Sequence, residues 1–229
     1  SGNQVPRPHL QALRLLKEYG IVIYSTFSEA KAFRCAAING DLEMCQFLIE
    51  CGFDKYSATT KKSKAFRRAA ANGDLEMCQF LVDKMKLDKD DMLRLNYQAV
   101  TMAAKNGHVH ILHFLKTLPM MVREEDGERF FRATTLSDIR DNDNLAFRVA
   151  AEYGQLEVCQ FFKDWKGETV PNVFRDGSLS GTFKTETPLS LKDVRSDNNE
   201  AFRHAAGNGH LHILKFLKDW GLTLQDVRA

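Results

Sequence analysis

The sequence predicts an all-α repeat solenoid, and three observations predict it. The stretch 32–52, AFRCAAINGDLEMCQFLIECG, is rewritten along the chain: AFRRAAANGDLEMCQFLVDKM from residue 65, AVTMAAKNGHVHILHFLKTLP from 99, AFRVAAEYGQLEVCQFFKDWK from 146 and AFRHAAGNGHLHILKFLKDWG from 201. The intervals between copies are 33, 34, 47 and 55 residues, so two near-minimal units precede two that carry about 13 and 21 extra residues. Each copy also reads as two short helices, neither of which can bury its apolar face alone. Stacking is what makes such a unit stable, and stability becomes a sum of repeat and nearest-neighbour terms.

Within the first copy, Phe33, Ala36 and Ala37 give the first helix its apolar face, and Asn39-Gly40 ends it. Glycine enters the left-handed conformation of a helix terminus without a Cβ penalty. Asp41 is placed to cap the second helix, with Glu43 in its first turn near the positive end of the dipole. Leu42, Cys45, Leu48 and Ile49 then recur at helical spacing, and Phe47 widens the stripe. The paired alanines let neighbouring first helices approach closely.

Taken in order, the chain opens on HLQALRLLKEYG (9–20), which aligns with HLHILKFLKDWG (210–221) and so reads as a second helix without its first. A half repeat over 9–24 is followed by repeats at about 28–54, 61–88, 95–118, 142–166 and 197–221, forming one domain. The insertions fall at about 119–134 and 167–188. In the first, Pro119–Val122 and Arg129–Phe131 flank Asp126-Gly127; in the second, Val170–Phe174 and Leu179–Thr185 flank Arg175–Ser178. Apolar arms around an Asp-Gly turn predict β-hairpins. The closing LTLQDVR (222–228) repeats LSLKDVR (189–195), a segment that leads into a further unit. The expectation is therefore an internal fragment of a longer array, with apolar end faces prone to self-association.

These units resemble ankyrin repeats. Lys31–Ala37 occupies the T-P-L-H-x-A-A positions of that family and Gly40-Asp41 its G-H; Gly107-His108 and Gly209-His210 keep the pair literally. Four of the five units carry x-A-F-R in place of T-P-L-H, a departure that resembles arrays of intracellular bacterial effectors and of large amoebal viruses. The resemblance implies a non-enzymatic module that binds a protein partner through the concave row of first helices and the projecting fingers. Carried over by position, the candidates are the residues between the alanine pair and the glycine: Ile38, Asn39, Ala71, Asn72, Lys105, Asn106, Glu152, Tyr153, Gly207 and Asn208. Lys105, Glu152, Tyr153 and Asn208 lead this set because they neighbour the enlarged fingers. The fingers add Arg129, Phe130, Phe131, Phe174, Arg175 and Phe183, which either pack the fingers together or present a binding edge. The alternative is the targeting arm of an enzyme whose catalytic domain lies outside these residues.

Composition excludes several other classes. A net charge of +2 with 27% charged and 44% hydrophobic residues is that of an ordinary globular chain, and makes nucleic acid an improbable partner. No apolar run approaches the length of a membrane span. Five cysteines, an odd number, argue for a reducing, cytoplasmic setting, the host cytosol if the protein is an effector. Cys45, Cys78 and Cys159 share a register position with Leu112 and Leu214, which predicts a buried apolar slot. HVHILH (108–113) and HLH (210–212) place histidines two apart, pointing in different directions on a helix, so no metal is expected. No nucleophile–base set, phosphate loop or dinucleotide fingerprint is present, and neither a cofactor nor a small-molecule substrate is expected.

Two polar features remain open at this level. The ladder Arg34, Arg67, Arg148 and Arg203 either reaches carboxylates such as Asp141, Asp143 and Asp197 in adjacent loops or grips an acidic peptide. The basic stretch 55–68 is either a solvated loop or an electrostatic site.

Overall fold

The computed structural model of the protein describes residues 8–20, 28–52, 64–85, 98–123, 129–133, 141–165, 171–174, 179–182 and 189–223. A lone helix α1 (Pro8–Glu18) precedes five helix pairs. These are α2 (Ser28–Ile38) with α3 (Leu42–Glu50), α4 (Lys64–Asn72) with α5 (Leu75–Met85), and α6 (residues 98–105) with α7 (Val109–Thr117). Then come α8 (Asp141–Glu152) with α9 (Leu156–Asp164), the short α10 (Leu191–Val194), and α11 (Ser196–Gly207) with α12 (Leu211–Trp220).

The helix pairs stack as the repeat demands. Phe33, Phe66 and Phe147 are fully buried at matching positions, while Phe202 in the last pair is only half-buried because no described residue packs beyond it. Phe147 meets Phe162 of its own pair and Trp220 of the next edge-to-face, at ring-centroid distances of 6.5 and 5.8 Å. Cys45, Cys78 and Cys159 are buried in the slot that Leu112 fills in the third pair. Burial pushes each of the three thiols up to about 12, since it disfavours the thiolate.

Every first helix ends in the same way. The N–H of the residue after the glycine donates to the carbonyl of the first alanine of the pair: Asp41 to Ala36, Asp74 to Ala69, His108 to Ala103, Gln155 to Ala150 and His210 to Ala205, all at 2.8–2.9 Å. The intervening glycine is left-handed, as this closure requires. Asp41 and Asp74 then cap their own second helices, accepting from the N–H of Met44 at 3.1 Å and Met77 at 2.9 Å. His108 and His210 occupy the same N-cap place but make no side-chain bond to their own helix, so they are caps by position only.

The last two first helices begin differently from the others. Asn144 and Asn199, in register with each other, are left-handed (φ 62° and 58°) and are the buried polar residues among those described. Asparagine tolerates that backbone region better than other non-glycine residues. In α11 the left-handed run includes Asp197 and Asn198, so regular helix starts only at Glu200.

Both insertions contain paired strands. β1 (Pro119–Arg123) pairs antiparallel with β2 (Arg129–Ala133), and β3 (Pro171–Phe174) with β4 (Leu179–Thr182). Phe130 faces Phe174 and Phe131 faces Val173 across β2 and β3, which joins the two fingers into one four-stranded sheet. At the far end, Phe202, Leu211, Leu214 and Leu222 line an apolar groove of about 610 Å³. At the near end, Leu15, Leu16 and Tyr19 of the first turn-and-helix are exposed.

Two outcomes follow from this packing. Gly154 (φ +74°) and Gly209 (φ +74°) share a backbone conformation, but a Cβ on Gly154 would meet the His210 ring at 2.8–3.1 Å, whereas one on Gly209 would meet nothing within 4 Å. Gly209→Ala should therefore cost about 1–2 kcal/mol from backbone strain alone, and Gly154→Ala measurably more in urea denaturation. In alkylation at pH 8, exposed Cys35 should react first, because thiols at about 12 expose only roughly one thiolate in ten thousand. Cys45, Cys78 and Cys159 should label only on unfolding, as read by mass spectrometry.

Candidate interaction surface

The ends of the first helices form the most regular polar array in the molecule. The Asn72 side-chain amide donates to the carbonyl of Ile38 one repeat back (3.1 Å), Asn106 to Ala71 (2.6 Å) and Asn208 to Glu152 (2.9 Å). Each asparagine sits just before its glycine, and each accepting carbonyl is the residue one place earlier in the preceding unit. The bond thus pins one helix end to the next.

At the fourth repeat the asparagine is replaced by Tyr153, which has no amide to give. The bond is made nonetheless: Gln155, two residues on, donates through Nε2 to the carbonyl of Lys105 at 3.0 Å. Gln155 stands where other repeats carry Asp or His, and its side chain packs over Gly107 as theirs pack over the glycines before them. Tyr153 is thereby released from stacking duty. It is 44% exposed, with Lys105 Nζ 4.3 Å from its ring centroid, a cation–π distance.

The histidines bind backbone, one repeat back. His108 Nε2 lies 2.9 Å from the Ala71 carbonyl, His110 Nε2 2.8 Å from that of Gly73, and His212 Nε2 2.8 Å from that of Gly154. A carbonyl only accepts, so Nε2 carries the proton in each. His110 and His212 are thus exposed, yet tied to the neighbouring loop. Among the described residues, no group of three or more His, Cys, Asp and Glu could hold a metal ion.

Arg148 settles part of the arginine ladder. It pairs with both Asp197 and Glu200 of the next repeat, and its side chain is only 12% exposed. A guanidinium so enclosed needs that partnership. Arg203, its counterpart in the last pair, is exposed and reaches the Asp197 carbonyl at 3.4 Å. His204 stands between the repeats, 3.5 Å from Glu152 and 3.7 Å from Glu200.

Of the sequence candidates, Lys105, Glu152, Tyr153 and Asn208 therefore share one strip, the Asn208 amide being committed to the Glu152 carbonyl. Ala71 is buried, and its carbonyl accepts from Asn106 and His108, so it offers no side chain to a partner. Arg129, Phe130, Phe131 and Phe174 lie on β2 and β3 of the finger sheet. Arg175, Phe183 and residues 55–63 of the basic stretch lie outside the described residues. The role of Gln155 escaped the sequence reading, although its departure from Asp or His beside a Tyr in place of Asn was a visible signal.

The family model for ankyrin repeats, in three copies, matches residues 33–126. That stretch is similar to ankyrin repeats, and the helix pairs beyond it continue the same stack. A comparison with curated protein sequences finds no match. Ankyrin repeats are in general protein-interaction modules and typically non-catalytic. Among the described residues no helix is long and apolar enough to cross a membrane.

If the Gln155 amide replaces the missing asparagine, Gln155→Ala should cost about 1 kcal/mol. Tyr153→Asn in the same chain should recover most of that loss by restoring the usual donor. A double-mutant cycle in urea checks this: additive effects would mean that the two positions do not share one bond.

Proposed function

We propose that this array recognises a protein partner through the first-helix strip around Lys105, Glu152 and Tyr153 and through the adjoining finger sheet. The observation that carries the reading is the release of Tyr153. The inter-repeat bond is kept by Gln155, so the aromatic that displaced the asparagine has no structural duty and stands exposed. Exposed Tyr beside a cation is a common interface anchor. The finger sheet supports the same location, because its strands arise directly after the third and fourth repeats. Phe130, Phe131 and Phe174 belong to that sheet, and Arg129, Arg175 and Phe183 to the same fingers. An effector or adaptor working in a host cytosol is the setting in which such an array fits best. Apolar surface at both ends of the stack supports self-association as a secondary property.

The test compares proteins retained by the wild-type chain with those retained by Tyr153→Ala, Lys105→Glu and a deletion of residues 170–187. Helical content is checked by circular dichroism. Loss of the same retained protein from all three supports the reading; undiminished retention by folded variants overturns it.

A further inference from the structure

Charge along the first helices changes sign partway through the stack. Counting formal charges with histidine neutral, α2, α4 and α6 carry +1, +3 and +1, whereas α8 and α11 carry −2 and −1. On the basic side Lys31, Lys64, Arg68 and Lys105 are exposed. On the other side Asp197 and Glu200 both pair with Arg148, Glu152 and Glu200 flank His204 at 3.5 and 3.7 Å, and Arg203 is exposed. The large apolar side chains exposed along the described first helices and their ends are Met102 and Tyr153. They flank the step from α6 to α8, the place where the sign reverses.

Resting on the reading above, we propose that the strip takes a polypeptide segment in one direction. Acidic residues of the segment lie over α4 and α6, an apolar side chain lies between Met102 and Tyr153, and basic residues lie over α8 and α11. First helices packed about 10 Å apart place α2 and α11 about 40 Å from each other. An extended segment of about 12 residues covers that span at about 3.3 Å per residue. The exposed charges contribute little affinity singly but fix orientation and exclude wrong partners. The apolar centre supplies the anchor. A nucleic acid fits poorly, since its phosphates meet repulsion from α8 onward and Tyr153 is the one exposed large aromatic along the described first helices.

The test uses a synthetic peptide of a glutamate block, a central Leu-Trp pair and a lysine block, with a nitroxide label on the glutamate end. Controls carry glutamates on both sides or lysines on both sides, and a single-stranded oligonucleotide of equal length is added. The two-block peptide should bind tightest, and its label should broaden amide signals of α4 while sparing α11. Arg68→Glu with Lys105→Glu, both at exposed sites, should raise its Kd about tenfold, and added salt should weaken binding. Equal binding of a single-sign peptide or of the oligonucleotide, or broadening at α11, overturns the directional proposal and leaves the partner-binding reading intact. Absence of any amide perturbation from α4 to α11 with every probe overturns both.

Discussion

The space that a Cβ atom would occupy at the end of each of the first four first helices is already taken by the following repeat. The side chain of Asp74 lies over Gly40, His108 over Gly73, Gln155 over Gly107 and His210 over Gly154. A glycine in these places answers two demands together, a left-handed backbone and contact with the next unit. That contact sets the distance between helix pairs, and the spacing in turn brings the amide and histidine donors within reach of carbonyls one repeat back. The alanine pairs and buried phenylalanines fill the volume so defined.

The fourth repeat shows how far the side chains can vary while this contact is kept. Two changes occur together there, Tyr153 for Asn and Gln155 for Asp or His, and the second supplies the hydrogen bond that the first removes. A bond retained through a different residue indicates that the pinning matters to the stack, and that the identity of the pinning residue does not. It also separates structure from surface: Asn72, Asn106 and Asn208 are committed donors, whereas Tyr153 faces outward under Lys105. Arg148 follows the same division, being enclosed by carboxylates of the next repeat, while Arg203 stays exposed at the last pair.

How much of the candidate surface was legible depended on which residue was asked about. Lys105 and Tyr153 were visible because they stand between the alanine pair and the glycine, beside the enlarged fingers, at positions the resemblance places on the binding face. Asn208 looked equivalent to them in sequence, yet its amide is committed to stacking. No periodicity could reveal this, because the acceptor is a backbone carbonyl 56 residues away. The left-handed Asn144 and Asn199 were likewise hidden, as nothing in DNDN or SDNN states which asparagine turns the chain.

The sequence by itself determined the helix pairs, their register and their apolar faces, because these depend on local spacing and on repetition, both of which are written along the chain. Only the tertiary structure decided that the two fingers share one sheet through Phe130 and Phe174, and that the ladder of amides runs between repeats. It also decided that the basic and acidic first helices lie in sequence along one strip. These are relations between residues far apart in the chain, fixed by how closely one repeat rests on the next.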